Sequence, residues 1–434
     1  MRKIVIILGI VTGIFIHRSA MAQDSQYRWG QISFVPGFGT SLGANDSITN
    51  YYSFNILGGN QYALQGFELG GLFNFNQHKV TGVQVAGLIN KTGTETIGLQ
   101  VAGLTNINEG QVSGAQIAGL LNKSGAETTG MQAAGLSNLS AGSIQGMQVA
   151  GLSNWVNGEV TGVQASGLIN KSSERVLGAQ VAGLLNLAPA IQGIQISGLS
   201  NKTDSVKGVQ LASLQNQASL FQGAQISGLI NTSGSTKGAQ LSGLVNKTGR
   251  LNGFQLGIIN IADSVEAGAQ LGIINIVKKK GMFEFGVAYG DVIPWNLSLR
   301  TGTNQLYSIL SVGSQFDDSQ GDELWSYGFG LGSKWYLKDK VFTSLEIVSH
   351  ELRKHQDDPE TLNLLNSVQF NFGYQFFKHL SVTAGPVLNI YVAQMDNSNL
   401  DKPNFDIANK PFYEHQEGNY KVQMWAGYAL SIRF

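Results

Sequence analysis

Cysteine is absent from all 434 residues, which excludes a disulfide framework, a thiolate zinc site, a thiol nucleophile and a lipid-modified N-terminal cysteine. Charge is sparse, at 13% of residues, and sums to zero, so nothing draws the chain to nucleic acid or steers a charged substrate. Proline occurs only 7 times against 56 glycines, a balance that suits β-structure better than disorder. Between Asn76 and Gly253 the only aromatic residues are Trp155 and Phe221, and the only aspartate is Asp204. Without regular aspartates, calcium-binding nonapeptide repeats are excluded. No helix-length apolar stretch occurs beyond the N-terminus, so any membrane span must be made of strands.

At the N-terminus, Arg2 and Lys3 precede an apolar run over 4–16, and Ala20-Met21-Ala22 supplies the small residues a signal peptidase needs. This pattern is a secretory signal peptide over 1–22, with Gln23 as the first mature residue. The run is too short to cross a bilayer as a helix.

The middle of the chain is a repeat. Gln84, Gln100, Gln116, Gln132, Gln148, Gln164 and Gln180 recur every 16 residues, and Gln195, Gln210, Gln225, Gln240, Gln255 and Gln270 continue every 15. Glycine stands two positions before each glutamine, and asparagine follows each, as at Asn90, Asn106, Asn122 and Asn138. A weaker copy surrounds Glu68. Self-similarity of this kind means one supersecondary unit per copy. The positions flanking each glutamine are apolar or small, as Val83 and Val85 or Met147 and Val149, and are expected to form one buried face. The residue four before the glutamine and the leucine four after it, Leu88 to Leu244, have the opposite parity. The chain is therefore expected to turn twice per copy, at glycines such as Gly82 and Gly87.

Two architectures satisfy the pattern: a β-solenoid of stacked parallel coils, or transmembrane strands about 10 residues long. The parity breaks and the lack of aromatic girdles favour the solenoid. In it, Gln and Asn become structural turn and ladder residues, identical side chains lying about 4.8 Å apart.

From Phe283 the pattern changes to clean alternation. Phe283, Phe285, Val287 and Tyr289 stand against Glu284, Gly286, Ala288 and Gly290, and the same holds around Phe329 and Phe372. Eight strands are expected, near 282–290, 296–303, 306–316, 325–337, 341–351, 364–377, 380–394 and 421–434, with short turns alternating with long polar loops. That is the asymmetry of an outer-membrane barrel. The segments 31–43 and 51–59 also read as strands and are candidates for the same barrel. The fold class expected is all-β: a repeat array plus a C-terminal antiparallel transmembrane β-barrel of about 8 or more strands. Its domains are the signal peptide 1–22, N-terminal strands 23–65, the array 66–277 and the barrel segment 278–434.

The last strand places Tyr428, Leu430, Ile432 and the terminal Phe434 on one face. It resembles the signal read by the barrel-assembly machinery in Gram-negative outer-membrane proteins. The repeat, as in Gly82-Val83-Gln84-Val85-Ala86-Gly87-Leu88-Ile89-Asn90, resembles that of bacterial surface-repeat proteins, over roughly 66–277. The resemblance implies a surface or envelope location and carries no catalytic motif.

No nucleophile elbow, phosphate-cradling loop or paired-carboxylate motif stands out. His350 and His355, with Glu351, Asp357 and Asp358 nearby, match no metal-site spacing and read as a solvated loop. The expected function is thus a non-catalytic outer-membrane or surface protein, a repeat scaffold or binding platform anchored by a barrel. Its partners are outer-membrane lipids, the barrel-assembly machinery and an unidentified surface ligand, with no cofactor, metal or nucleic acid. The alternative is a channel or transport protein in which the repeats add barrel strands.

Overall fold

The computed structural model describes residues 27–40, 47–315, 324–353, 362–396, 399–403 and 407–434; the expected signal peptide lies outside them. The described residues form strands, turns and bends, with no helix. The chain divides into two compact units, 1–213 and 214–434.

In the first unit successive copies pair in parallel. Val80–Ala86, Thr96–Ala102, Val112–Ala118 and Thr128–Ala134 each lie residue for residue beside the next, one copy apart. Ile89–Thr92, Thr105–Asn108 and Leu121–Ser124 do the same. Where the copies shorten, Leu185–Ser197 and Ser200–Ala212 keep the one-copy register. Parallel pairing of consecutive copies defines a solenoid and is incompatible with up-and-down barrel strands. The reading in which the repeats are barrel strands is therefore overturned. So is the assignment of 31–43 and 51–59 to the barrel. Tyr27–Val35 pairs in parallel with Thr49–Asn55, and that with Ala63–Gly70, which lies beside Val80–Ala86. Their residues 31–35 and 51–55 are strands of the same coil stack, Phe38–Gly39 folds back antiparallel on the first of them, and 41–43 lie outside the described residues.

Each coil bends at the glycines. Gly130 has φ +128°, and a Cβ there would lie 2.0 Å from the carbonyl oxygen of Gly114 one coil away, so neither the backbone conformation nor the space admits a side chain. The second bend falls at Gly135 and Leu136. The 16-residue copies have a third, at 125–127 for example, which the parity pattern does not signal.

The coils are inverted relative to the sequence expectation. Met147 and Val149 are 40% and 39% exposed, while Gln148 between them is wholly buried. The flanking apolar positions point outward together with the leucines of the second bend, such as Leu136 and Leu152. The interior holds the glutamine and asparagine columns, the alanines Ala86, Ala102 and Ala118, and the column of Val80, Val112, Ile144 and Val160. Parity separates two faces, but it does not say which one is inside.

The second unit begins with coils of the same kind: Gln215–Ser227, Ile230–Ser242, Val245–Leu256 and Ile259–Leu271, closed by Ile274–Val277. Eight antiparallel strands follow: Met282–Gly290, Trp295–Gly302, Tyr307–Gln315, Leu324–Lys338, Val341–Arg353, Asn363–Phe377, Leu380–Asp396 and Tyr420–Arg433. Tyr420–Arg433 pairs with both Leu380–Asp396 and Met282–Gly290, which closes the barrel and removes its edges. The turns 303–306, 339–340 and 378–379 gather at one end, with the arriving and leaving chain. The turn 291–294 and the strand ends at Gln315, Leu324, Arg353, Asn363 and Tyr420 belong to the other.

Candidate functional site

Two counter-running amide ladders fill the coils. Gln100 Nε2 donates to Gln84 Oε1 at 2.8 Å, Gln116 to Gln100 at 2.8 Å and Gln132 to Gln116 at 2.7 Å. Every step points toward the N-terminus. The asparagines run the other way: Asn90 Nδ2 donates to Asn106 Oδ1, Asn106 to Asn122 and Asn122 to Asn138, each at 2.9 Å. Each asparagine also donates to a backbone carbonyl of the next coil, as Asn90 to Val101 at 2.7 Å. A buried amide left unpaired costs about 1–3 kcal/mol. Identical residues one coil apart remove that cost, because each supplies the acceptor its neighbour needs. Gln84, Gln100, Gln116 and Gln132 stand in one ladder and Asn90, Asn106, Asn122 and Asn138 in the other.

The glutamine ladder of the first unit ends on a carboxylate. Glu68, wholly buried, accepts from Gln84 at 3.0 Å, from Asn76 at 2.6 Å and from Asn55 at 2.9 Å. When ionised, a glutamate here is acceptor-only and faces these donors. Burial pushes its carboxyl up to about 7, although Asn76, Asn55 and Gln84 hold it down. Because the folded value is raised, the contribution of Glu68 to stability is fully present below about pH 4.5 and is lost as pH rises through about 7. The amides of Thr49–Asn55 and Ala63–Gly70 are therefore expected to exchange faster at about pH 8 than at about pH 5, after correction for intrinsic rates. Hydrogen exchange read by mass spectrometry checks this. A pH dependence that persists unchanged in Glu68→Gln would assign it to another group.

The barrel is apolar outside and charged within. Phe283, Phe285, Trp325, Phe372, Tyr428, Leu430, Ile432 and Phe434 lie exposed on the outer face, as the alternation requires. Inside, Glu346 is wholly buried and binds Arg300 through two bonds of 3.0 and 2.8 Å. Glu346 also accepts from the Tyr307 hydroxyl at 2.7 Å and ion-pairs with Arg433 at 2.9 Å. Lys334 pairs with Glu284 at 2.8 Å. Toward the long-loop end, Ile293, Leu324, Leu352, Leu365, Tyr391 and Trp425 form an apolar cluster, and Trp425 Nε1 donates to Asp291 at 3.2 Å. The space left among His350, Asn389 and Asp291 is about 60 Å³, far below the roughly 300 Å³ at which ligand pockets begin. Eight strands give an interior that side chains nearly fill, and the extra strands that the channel alternative took from the repeats are coils instead. His350 belongs to Val341–Arg353 and faces the interior, Nδ1 3.5 Å from Ser311 Oγ, which corrects its placement in a solvated loop. His355, Asp357 and Asp358 lie outside the described residues.

Sequence reasoning missed the joint between coils and barrel. Asn275, the last rung of the asparagine ladder, donates its Nδ2 to Ser308 Oγ at 2.8 Å, and its backbone N–H to Thr301 Oγ1 at 3.0 Å. The available signal was a pair of hydroxyl residues on an otherwise apolar outer face: Thr301 and Ser308 are cross-strand partners and have the parity of Leu297, Leu299, Leu310 and Val312.

Comparison with family models, with curated proteins and with solved structures finds no match to this chain.

Proposed function

We propose that this is a non-catalytic outer-membrane protein of a Gram-negative bacterium, in which the barrel anchors the coil array as a scaffold or binding platform. The observation that carries the reading is the closed eight-strand barrel whose outer face is apolar and aromatic while buried charged and polar side chains lie in its interior. Lipid tails accept the first surface, and only full closure satisfies the backbone among them. The signal peptide read from 1–22 supplies export. The outward row of Tyr428, Leu430, Ile432 and Phe434 supplies the strand that the barrel-assembly machinery would engage.

The test is fractionation together with heat-modifiable mobility. The protein is expected in outer membranes and, solubilised in detergent, to migrate faster before boiling than after, since a closed barrel keeps its compact form until heated. Recovery as a soluble periplasmic protein with a single mobility would sink the proposal.

A further inference from the structure

The second unit's coils carry apolar side chains on an outer face. Ile226, Leu229, Leu244, Leu256, Ile258 and Ile273 form one exposed aliphatic stripe, whereas the neighbouring face carries Gln222, Lys237 and Asn252. Toward the barrel the stripe widens. The outward positions on either side of the ladder asparagine are Gln215 and Gln217 in one coil, Ile230 and Thr232 in the next and Val245 and Lys247 after that, and then become Ile259 and Ile261, Ile274 and Ile276. The aliphatic surface is thus widest in the coils next to the barrel, and an exposed apolar patch of this kind marks a membrane or protein contact.

The joint fixes how the coils meet the barrel. Ladder bonds run along the stack, and the last one ends on Ser308. Tyr307, next to it, points inward to Glu346, so Ser308 points outward. Thr301 is outward by the same argument, since Arg300 points inward to Glu346. Both hydroxyl residues are only 1% exposed, because the final coil covers them: Asn275 binds both, and Ser308 Oγ also donates to the Gly272 carbonyl. The final coil therefore meets the barrel on the outside of its wall. Thr301 and Ser308 flank the turn 303–306, at the short-turn end. That end is the periplasmic one in bacterial barrels, and it carries exposed lysines at Lys279, Lys280, Lys338, Lys340 and Lys378, with exposed Trp335, Tyr336, Phe376 and Phe377 beside them. Lysine rims attract phospholipid phosphates, and aromatic residues settle at headgroup level.

We propose that coils 214–277 lie along the periplasmic leaflet of the outer membrane, with their aliphatic stripe in its acyl region and the lysine rim on its phosphates. The inference rests on the transmembrane reading of the barrel. It assigns these coils to the inner side of the membrane, whereas the surface location rests on resemblance alone.

The native chain has no cysteine, so single-cysteine variants report position without background. Leu256→Cys and Ile226→Cys probe the stripe, Lys237→Cys and Gln222→Cys the polar face, and Phe372→Cys the barrel wall. Each full-length variant is labelled with an environment-sensitive fluorophore and reconstituted into phosphatidylethanolamine–phosphatidylglycerol vesicles containing a lipid brominated near the headgroup end of its chain. The stripe positions are expected to be quenched several-fold more than the polar ones, at a level near that of Phe372→Cys. Equal, weak quenching at stripe and polar sites, with Phe372→Cys strongly quenched, would overturn the inference. An unquenched Phe372→Cys would instead overturn the transmembrane reading beneath it. Stripe labels shielded in lipid-free micelles, increasingly with protein concentration, would mark a second copy as the occupant and also overturn the inference. In intact cells, a polymer-linked maleimide too large for porins is expected to modify Glu417→Cys and to spare Lys237→Cys until the outer membrane is permeabilised. Modification of both in intact cells would overturn the periplasmic assignment.

Discussion

Replacing Glu346 with alanine is expected to destabilise the barrel strongly. Arg300, Arg433 and the Tyr307 hydroxyl all converge on that carboxylate, and both guanidinium groups lie buried in the interior. Without it the two guanidinium groups and the nearby Lys334 are left with Glu284 as the carboxylate beside them, and Lys334 already engages it. Breaking a buried ion pair from one side costs about 3–5 kcal/mol, a large part of the roughly 5–15 kcal/mol that holds a typical folded domain together. Urea titration of the heat-modifiable band in detergent is the measurement. The variant is expected to lose the fast-migrating form at concentrations the parent withstands. The triple replacement Glu346→Leu, Arg300→Met and Arg433→Met should recover most of the loss, because a packed apolar interior removes the desolvation cost together with the pairing. A triple variant no better than Glu346→Ala would mean that the cluster's geometry, not its charge balance, supports the wall.

The same contrast between charge and packing explains what could be read in advance. The barrel was legible nearly strand by strand, because its outward residues are aromatic and aliphatic and its inward ones are Glu284, Arg433, serines and glycines. A period of two with so large a difference in polarity leaves little freedom of register. Its interior partners were not legible, since Arg300 and Glu346 are 46 residues apart and meet only after closure fixes which strands lie across the lumen. In the coils the period was legible and the polarity was read the wrong way round. Alternation between Val83, Gln84 and Val85 defines two faces, and the ordinary preference for apolar interiors selects the wrong one. The deciding signal was in the columns. The outward positions vary freely among Val, Leu, Ala, Met, Ile and Phe, while the inward ones stay Gln or Asn copy after copy. A hydrogen-bonded ladder needs the same group at every rung, whereas a surface needs only a similar one. Glu68 breaks that identity at the end of its ladder, where an acceptor without a donor is what the terminal position requires.

Removing one whole copy from the first unit, 114–129, is expected to leave a folded, membrane-inserted protein, whereas removing eight residues, 122–129, is expected to destroy the array. The whole-copy deletion joins Ser113 to Gly130, which brings Gly130 beside Gly98, Gln132 beside Gln100 and Asn138 beside Asn106. Those are the partners that Gly114, Gln116 and Asn122 now have. One rung is lost from each ladder and no column is interrupted, and since each coil touches only its neighbours the loss stays local. The half-copy deletion instead joins Leu121 to Gly130 and carries Asn138 into the bend now held by Gly130, where φ is +128° and a Cβ would lie 2.0 Å from a carbonyl oxygen. It also sets Ser140 where Gln132 stands, so both the glycine column and the glutamine ladder break at the same coil. Limited proteolysis of the heat-modifiable form reads the difference: the one-copy deletion should keep a protease-resistant array, shorter by a single coil, and the half-copy deletion should be cut within it. Deleting two copies, 114–145, should behave like deleting one, because parallel coils have no up-and-down alternation to restore. If the two-copy variant survives where the one-copy variant fails, successive copies are not equivalent rungs, and the parallel stack is the wrong description of the array.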